Sequence, residues 1–118
     1  MNYTLLIYQS PADFAARSDP EKSKAFWASF GPYMKAIQDA GIMVSGAGLQ
    51  PPEAATTVKL RAGQRLVQDG PFADTKEQLG GFFVINVPDL DTALDWASRC
   101  PASICHAMEV RPNLPQVH

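Results

Sequence analysis

The residues with the most chemical capacity crowd into one stretch. Asp69, Asp74, Thr75, Lys76 and Glu77 fall within nine positions, bounded by Gly70 and by Gly80-Gly81. Glycines let backbone approach a ligand closely. A lysine can hold an anion or polarise a carbonyl, and a carboxylate can move a proton. Asp69, Lys76 and Glu77 are therefore the candidate catalytic groups, with Thr75 and Gly80 as candidate ligand contacts. The same stretch also reads as an ordered connection. Asp69-Gly70-Pro71 is turn chemistry, Phe72 and Leu79 would anchor it into the core, and Lys76 and Glu77 would form a solvated pair. A loop of this length in a compact domain is usually functional or has packing of its own. The two readings divide the stretch, with Gly70, Pro71 and Phe72 on the side of shape and Asp69, Lys76 and Glu77 on the side of chemistry.

Near the C-terminus, alternation along an extended Cys105–Arg111 segment puts Cys105, Ala107, Glu109 and Arg111 on one face and His106, Met108 and Val110 on the other. Glu109 and Arg111 read first as a structural ion pair at an open sheet face and second as the lining of a cleft. His106, between apolar neighbours, reads as a hydrogen-bonded core histidine, and as a ligand contact in the alternative. Cys105 and His106 point to opposite faces and cannot act as nucleophile and base. Cys100 and Cys105 are expected to be free thiols in a reducing compartment. With His106 and His118 they do not make zinc-like spacing, so no metal site is expected. No phosphate-cradling or dinucleotide-binding pattern occurs, so no cofactor is expected either.

The elements that must hold these groups follow from periodicity. Tyr3–Tyr8 is a strand apolar on both faces, ended by Ser10-Pro11. Ala12–Arg17 is a connector with room for one helical turn. Ser18-Asp19-Pro20-Glu21 has capping-box spacing with proline in the first turn. It opens a helix whose stripe is Trp27, Phe30, Met34 and Ile37, with Phe26 also in the core. Gly31-Pro32 predicts a kink or two consecutive helices, and Gly41 the C-terminal stop. Ile42–Ser45 reads as a strand and Gly46–Pro52 as a turn-rich exit. Thr56–Arg61 and Arg65–Gln68 form a hairpin about Ala62-Gly63. Phe82–Val87 is the most apolar strand. Asp89 caps a second helix with Leu90, Ala93, Leu94, Ala97 and Cys100 on one face, leaving Trp96 off it.

At 118 residues with 10 Lys+Arg against 12 Asp+Glu, the chain is one domain spanning 1–118. It carries no basic patch of the kind a nucleic-acid binder needs and no apolar run long enough for a bilayer. The opening Met1–Leu5 lacks a signal-peptide pattern, so the cytoplasm is the expected location. The order strand, helix, strand, hairpin, strand, helix, strand predicts an α+β ferredoxin-like sandwich. Both helices would cover one sheet face, and a second copy of the chain is the expected cover for the other.

The segment Asp69-Gly70-Pro71-Phe72-Ala73-Asp74-Thr75-Lys76-Glu77-Gln78-Leu79-Gly80-Gly81-Phe82 resembles the signature of DGPF-domain proteins, a branch of the YCII-related family. Tyr3–Tyr8, Leu49–Pro52 with Thr56–Val58, Pro88–Ala97 and Glu109–Pro112 are similar to other parts of that family, so the resemblance spans the chain. It implies a ferredoxin-like fold that dimerises into an α+β barrel, in bacterial cytoplasmic proteins of mostly unassigned activity. Some members occur beside alternative sigma factors, a link of genomic context alone. Two places depart from the family pattern: Gly31-Pro32 in the first helix, and Ser103–Ala107 before the last strand. The suspected His–Asp pair of the wider group has no counterpart here, because no histidine lies near the first strand or helix. Two functions follow. One is a small-molecule site at the motif loop, serving binding or cofactor-independent proton transfer. The other is a non-catalytic dimeric accessory or regulatory protein.

Overall fold

The computed structural model describes residues 1–101 and 105–115. The Ser103–Ile104 part of the departure before the last strand, and His118, lie outside them.

Strand β1 (Asn2–Gln9) buries alternate residues Tyr3, Leu5, Ile7 and Gln9 and half-buries those between. Ser10 then starts a helix rather than a single turn. Its Oγ accepts the Asp13 N–H at 3.2 Å, and the Asp13 carboxylate accepts the Ser10 N–H at 2.9 Å. This reciprocal box stabilises α1 (Pro11–Ser18). The capping box expected at Ser18 is thus displaced. Ser18 is the last residue of α1, and Asp19 caps α2 (Pro20–Asp39) by accepting the N–H groups of Glu21 and Lys22 at 2.9 and 3.0 Å.

Helix α2 runs unbroken through Gly31-Pro32. The cost of proline is confined to one lost hydrogen bond and a local clash. Gly31, Pro32 and Ala28, one turn back, are all exposed, so water can reach the freed carbonyl. The buried stripe is Phe26, Tyr33 and Ile37, with Phe30 and Met34 packed beside it. Trp27 is 58% exposed rather than core, being one position off that stripe. Gly41, at φ +69°, turns the chain out of the helix.

Strand β2 (Met43–Gly48) continues through the glycines expected to be a turn. Gly46 lies opposite Phe83 in the sheet, and a Cβ there would stand 2.7 Å from the Phe83 Cβ. Only glycine lets the strand approach this closely. A hairpin follows, β3 (Thr56–Arg61) and β4 (Gln64–Asp69). Ala62 (φ 51°) and Gly63 (φ 76°) both sit in the left-handed region, as a two-residue hairpin turn requires. β5 (Gln78–Asn86) begins inside the motif stretch, shortening the loop to 70–77. α3 (Leu90–Ser98) is capped by Asp89, which accepts the Thr92 N–H at 2.8 Å and its hydroxyl at 2.7 Å. Its inward face is Ala93, Trp96 and Ala97, while Leu90 and Leu94 are exposed. The expected stripe is rotated because Trp96 turns inward, its carbonyl accepting the Tyr33 hydroxyl at 2.8 Å. β6 is Ala107–Pro112.

The main sheet has order β2-β5-β1-β6, every neighbouring pair antiparallel. This is the ferredoxin-like α+β sandwich, with the β3–β4 hairpin inserted as a separate two-stranded arm. α2 and α3 cover one face around Leu5, Ile37, Ile85 and Ala93. On the opposite face lie Thr4, Leu6 and Tyr8 with their register partners Val84, Phe82, Glu109 and Arg111. No described helix is long and apolar enough to cross a membrane.

Candidate functional site

The helix-covered face contains a gap, and glycine makes it. β2 and β5 direct the hydrogens of Gly46, Gly48 and Gly81, rather than side chains, toward α2. The resulting cavity of about 330 Å³ lies between this floor and an α2 wall of Phe26, Trp27, Phe30 and Met34. The wall is one aromatic chain. Ring centroids are 5.0 Å apart for Phe26–Trp27, 5.8 Å for Phe26–Phe30, 6.3 Å for Phe30–Tyr33 and 6.0 Å for Tyr33–Phe83. A cavity of this size with an apolar wall and a few convergent polar groups is the usual form of a small-molecule site.

The polar groups gather at the end where β1 stops and β2 leaves the sheet. Gln9, only 2% exposed, is the last inward residue of β1. Its Oε1 accepts Arg17 Nη1 at 3.1 Å. Arg17, on the last turn of α1, also donates from Nη2 to the Leu49 carbonyl, and its guanidinium lies 5.4 Å over the Phe14 ring. Gly80 fits beneath this cluster because any side chain there would collide with Gln9. Among the described residues Arg17 forms no ion pair with a carboxylate. Burial lowers its pKa from the ordinary arginine value, the charged form losing hydration without a counter-ion. Gln38 and Ser45 add neutral polar groups toward the start of β2.

The motif residues have other surroundings. Asp69 is exposed at the end of the arm, opposite Thr56. Lys76 and Thr75 line a separate cavity of about 430 Å³ with Pro11, Phe14 and Pro51. Glu77 reaches His106 instead of Lys76, its Oε1 3.3 Å from His106 Nε2. Asp69, Lys76 and Glu77 thus stand in three separate surroundings. Gly80 alone of the candidate residues lines the cavity. His106 is exposed, not core, because it precedes β6 at the sheet's end, held by its N–H to the Tyr8 carbonyl at 2.7 Å. Phe72 is 76% exposed rather than an anchor, with Lys59 Nζ 5.1 Å from its ring centroid. Leu79 is half-buried. Arg111 and Glu109 form an ion pair at 2.5 Å on the open face, as their alternation suggests.

Cys100 and Cys105 are free thiols with sulfurs 3.8 Å apart. Their shared hydrogen bond pushes the Cys100 pKa up and pulls that of Cys105 down. They lie outside the cavity lining. No group of three metal-ligating side chains gathers among the described residues.

Arg17 and Gln9 were not evident as site residues in the sequence, although two signals point to them. Gln9 is a polar residue completing an otherwise apolar inward series, Tyr3-Leu5-Ile7. Gly46 and Gly48 alternate on the strand that Gly80-Gly81 flanks from the other side. Each signal gains meaning only once the strands are paired.

Comparison with known proteins agrees with this architecture. Residues 1–114 match the YCII-related domain. An uncharacterized protein of Rhizobium meliloti is 38% identical over 97 residues, covering 82% of this chain and 77% of that protein. The structure of 5-chloro-2-hydroxyhydroquinone dehydrochlorinase from Burkholderia phenoliruptrix, a complex with 2,5-dihydroxybenzoquinone, superposes with a TM-score of 0.52. It covers 97% of this chain and 94% of its own at 15% identity, a likeness of fold. The family match over nearly the whole length, the curated relative and the sheet order lead to one conclusion: this chain belongs to the YCII-related family.

Proposed function

We propose that this protein binds a single-ring small molecule in the cavity between α2 and the glycine floor of β2 and β5. The observation carrying this reading is the cavity itself, an aromatic wall facing glycine positions of β2 and β5, with a buried amide and a cation at one end. The dehydrochlorinase of the same fold was solved with a hydroxylated six-membered ring compound, which supports a ligand of similar size. Among the described residues the lining contains no carboxylate, imidazole or thiol. Binding therefore fits the site better than side-chain proton transfer.

Gly48 offers the test. A Cβ there meets nothing within 4 Å, so Gly48→Leu fills the cavity without displacing the fold. Saturation-transfer NMR with benzoate, benzamide and phenol should show binding to the wild-type protein. In the variant that binding should be lost, with circular dichroism and melting temperature preserved. No binding by any probe, or binding undiminished by Gly48→Leu, refutes the site.

A separate observation favours self-association. The accessible surface is 8025 Å², whereas a compact 12.8 kDa monomer exposes about 6,300 Å². The radius of gyration is 16.1 Å against ~13.5 Å expected for 118 residues. The excess of roughly 1,700 Å² is of the order one protomer buries in an obligate dimer. Two surfaces contribute to it: the helix-free sheet face, and the arm, whose Val58, Leu60 and Val67 are exposed on one side. We propose that a second copy covers them.

A further inference from the structure

We infer that the cavity's ligand is a planar aromatic anion, its carboxylate or phenolate oxygen held by Arg17 and its ring lying between the glycine floor and the Phe26–Phe30 wall. The inference rests on the cavity being a binding site and deepens it by assigning the charge and shape of the occupant.

Charge comes from Arg17. Among the described residues its guanidinium faces a lining without a carboxylate, and its partners there, the Gln9 amide oxygen, the Leu49 carbonyl and the Phe14 ring, are all neutral. A cation taken partly out of water gains little from neutral acceptors compared with an anion. Those contacts fix the plane of the fork while leaving part of its five N–H donors for a ligand. An arginine held by its neighbours in this way is pre-organised for a planar oxyanion, which it can bind through two parallel hydrogen bonds. Gln9 is buried, and its side chain occupies the space that the missing Cβ of Gly80 leaves beside it. The polar end is therefore packed on the Gln9 side.

Shape comes from the two walls. Floor positions Gly46, Gly48 and Gly81 expose flat peptide units. Opposite them, Phe26 and Phe30 present ring faces and edges, to which another ring adds in offset or edge-on contact. Trp27, 58% exposed at the rim and edge-on to Phe26 and Phe30, extends that wall to the cavity mouth. The cavity's about 330 Å³ is at the small end of ligand sites. That suits one substituted ring and leaves Gln38 and Ser45 to meet a neutral substituent at its far side. A tetrahedral anion such as phosphate would satisfy Arg17 but leave the aromatic wall unused.

The test compares charge and planarity in the intact protein, titrating benzoate, benzamide, cyclohexanecarboxylate and inorganic phosphate by NMR and by Trp27 fluorescence in a Trp96→Phe background. Benzoate should bind about tenfold tighter than benzamide, the difference between a charge-assisted and a neutral hydrogen-bond set. It should also bind tighter than cyclohexanecarboxylate, and phosphate should not compete. Arg17→Gln should reduce the benzoate-to-benzamide ratio to about one, and Arg17→Lys should restore part of it. Equal binding of benzoate and benzamide, both abolished by Gly48→Leu, would leave the cavity standing and overturn the anion. Equal binding of benzoate and cyclohexanecarboxylate would overturn planarity. Failure of every ring compound would remove the site as well. The wild-type charge comparison decides the question even if Arg17→Gln does not fold.

Discussion

At the scale of single residues, polar groups here are used where they terminate something. Gln9 ends the inward series of β1 and holds Arg17. Asp19 and Asp89 end loops by capping α2 and α3, and the hydrogen bonds they accept hold both carboxyl groups below the usual aspartate range. A carboxyl lowered in the folded state stabilises the fold at neutral pH. That contribution is full above the unfolded value near 4 and disappears as pH falls through the lower, folded-state value. Asp19→Ala and Asp89→Ala should each lower stability at pH 7 and flatten its decline below about pH 4. Urea denaturation as a function of pH reads both effects, and an acid decline as steep as wild type would show that the caps do not contribute. The Asp89 cap is read directly from sequence, whereas the cap expected at Ser18 falls one residue later because Ser18 still belongs to α1. Arg17 was not legible, because an arginine at the end of a short helix is ordinarily solvated. It becomes a site residue only because α1 packs beside the strand ends.

At the scale of elements, local signals were strong where the element is self-contained and weak where packing decides. The Ala62-Gly63 turn reads directly from composition, and the structure shows both residues left-handed. Alanine pays for that conformation, at about 1–2 kcal/mol. Ala62→Gly should therefore increase hydrogen-exchange protection of the arm amides, and faster exchange would contradict the turn geometry. Of the two outcomes expected at Gly31-Pro32, a division into two helices is absent because a proline penalty is local, whereas the buried stripe from Phe26 through Tyr33 to Ile37 runs across it. Gly31 is helical, exposed and has no atom within 4 Å of an added Cβ. Gly31→Ala should stabilise by ~1 kcal/mol, raising the melting temperature by about 4 °C. A decrease would mean that glycine is needed to relieve the proline. The motif stretch illustrates the opposite limit. Its type and spacing suggested a gathered site, yet β5 starts within it and Phe72 stays in solvent.

At the scale of the whole molecule, the arm and the bare sheet face are the same problem seen twice. The contacts of the arm with the rest of the chain lie at its base. Thr57 Oγ1 donates to the Gly70 carbonyl at 2.7 Å, the Gly70 N–H donates to the Ala55 carbonyl at 2.7 Å, and Lys59 reaches over Phe72. Beyond them Leu60 is 79% exposed. Light scattering should give twice the 12.8 kDa chain mass, and Val58→Asp with Leu60→Asp should shift it toward the monomer. A wild-type monomer at micromolar concentration would remove the dimer.

The amino-acid sequence by itself determined the strand order along the chain, the two helices that cover the sheet, the hairpin turn, the Asp89 cap and the ferredoxin-like class. Each depends on periodicity or on residues adjacent in the chain, whose energetics hold whatever lies far away. The asymmetric burial of the sheet, the strand character of Gly46–Gly48, the exposure of His106 and the separation of Asp69, Lys76 and Glu77 were decided only by tertiary structure. So was the meeting of Arg17 with Gln9 beside a floor of glycines. Those features depend on which strands pair and in what register, and a one-residue change of register would turn every side chain concerned to the other face.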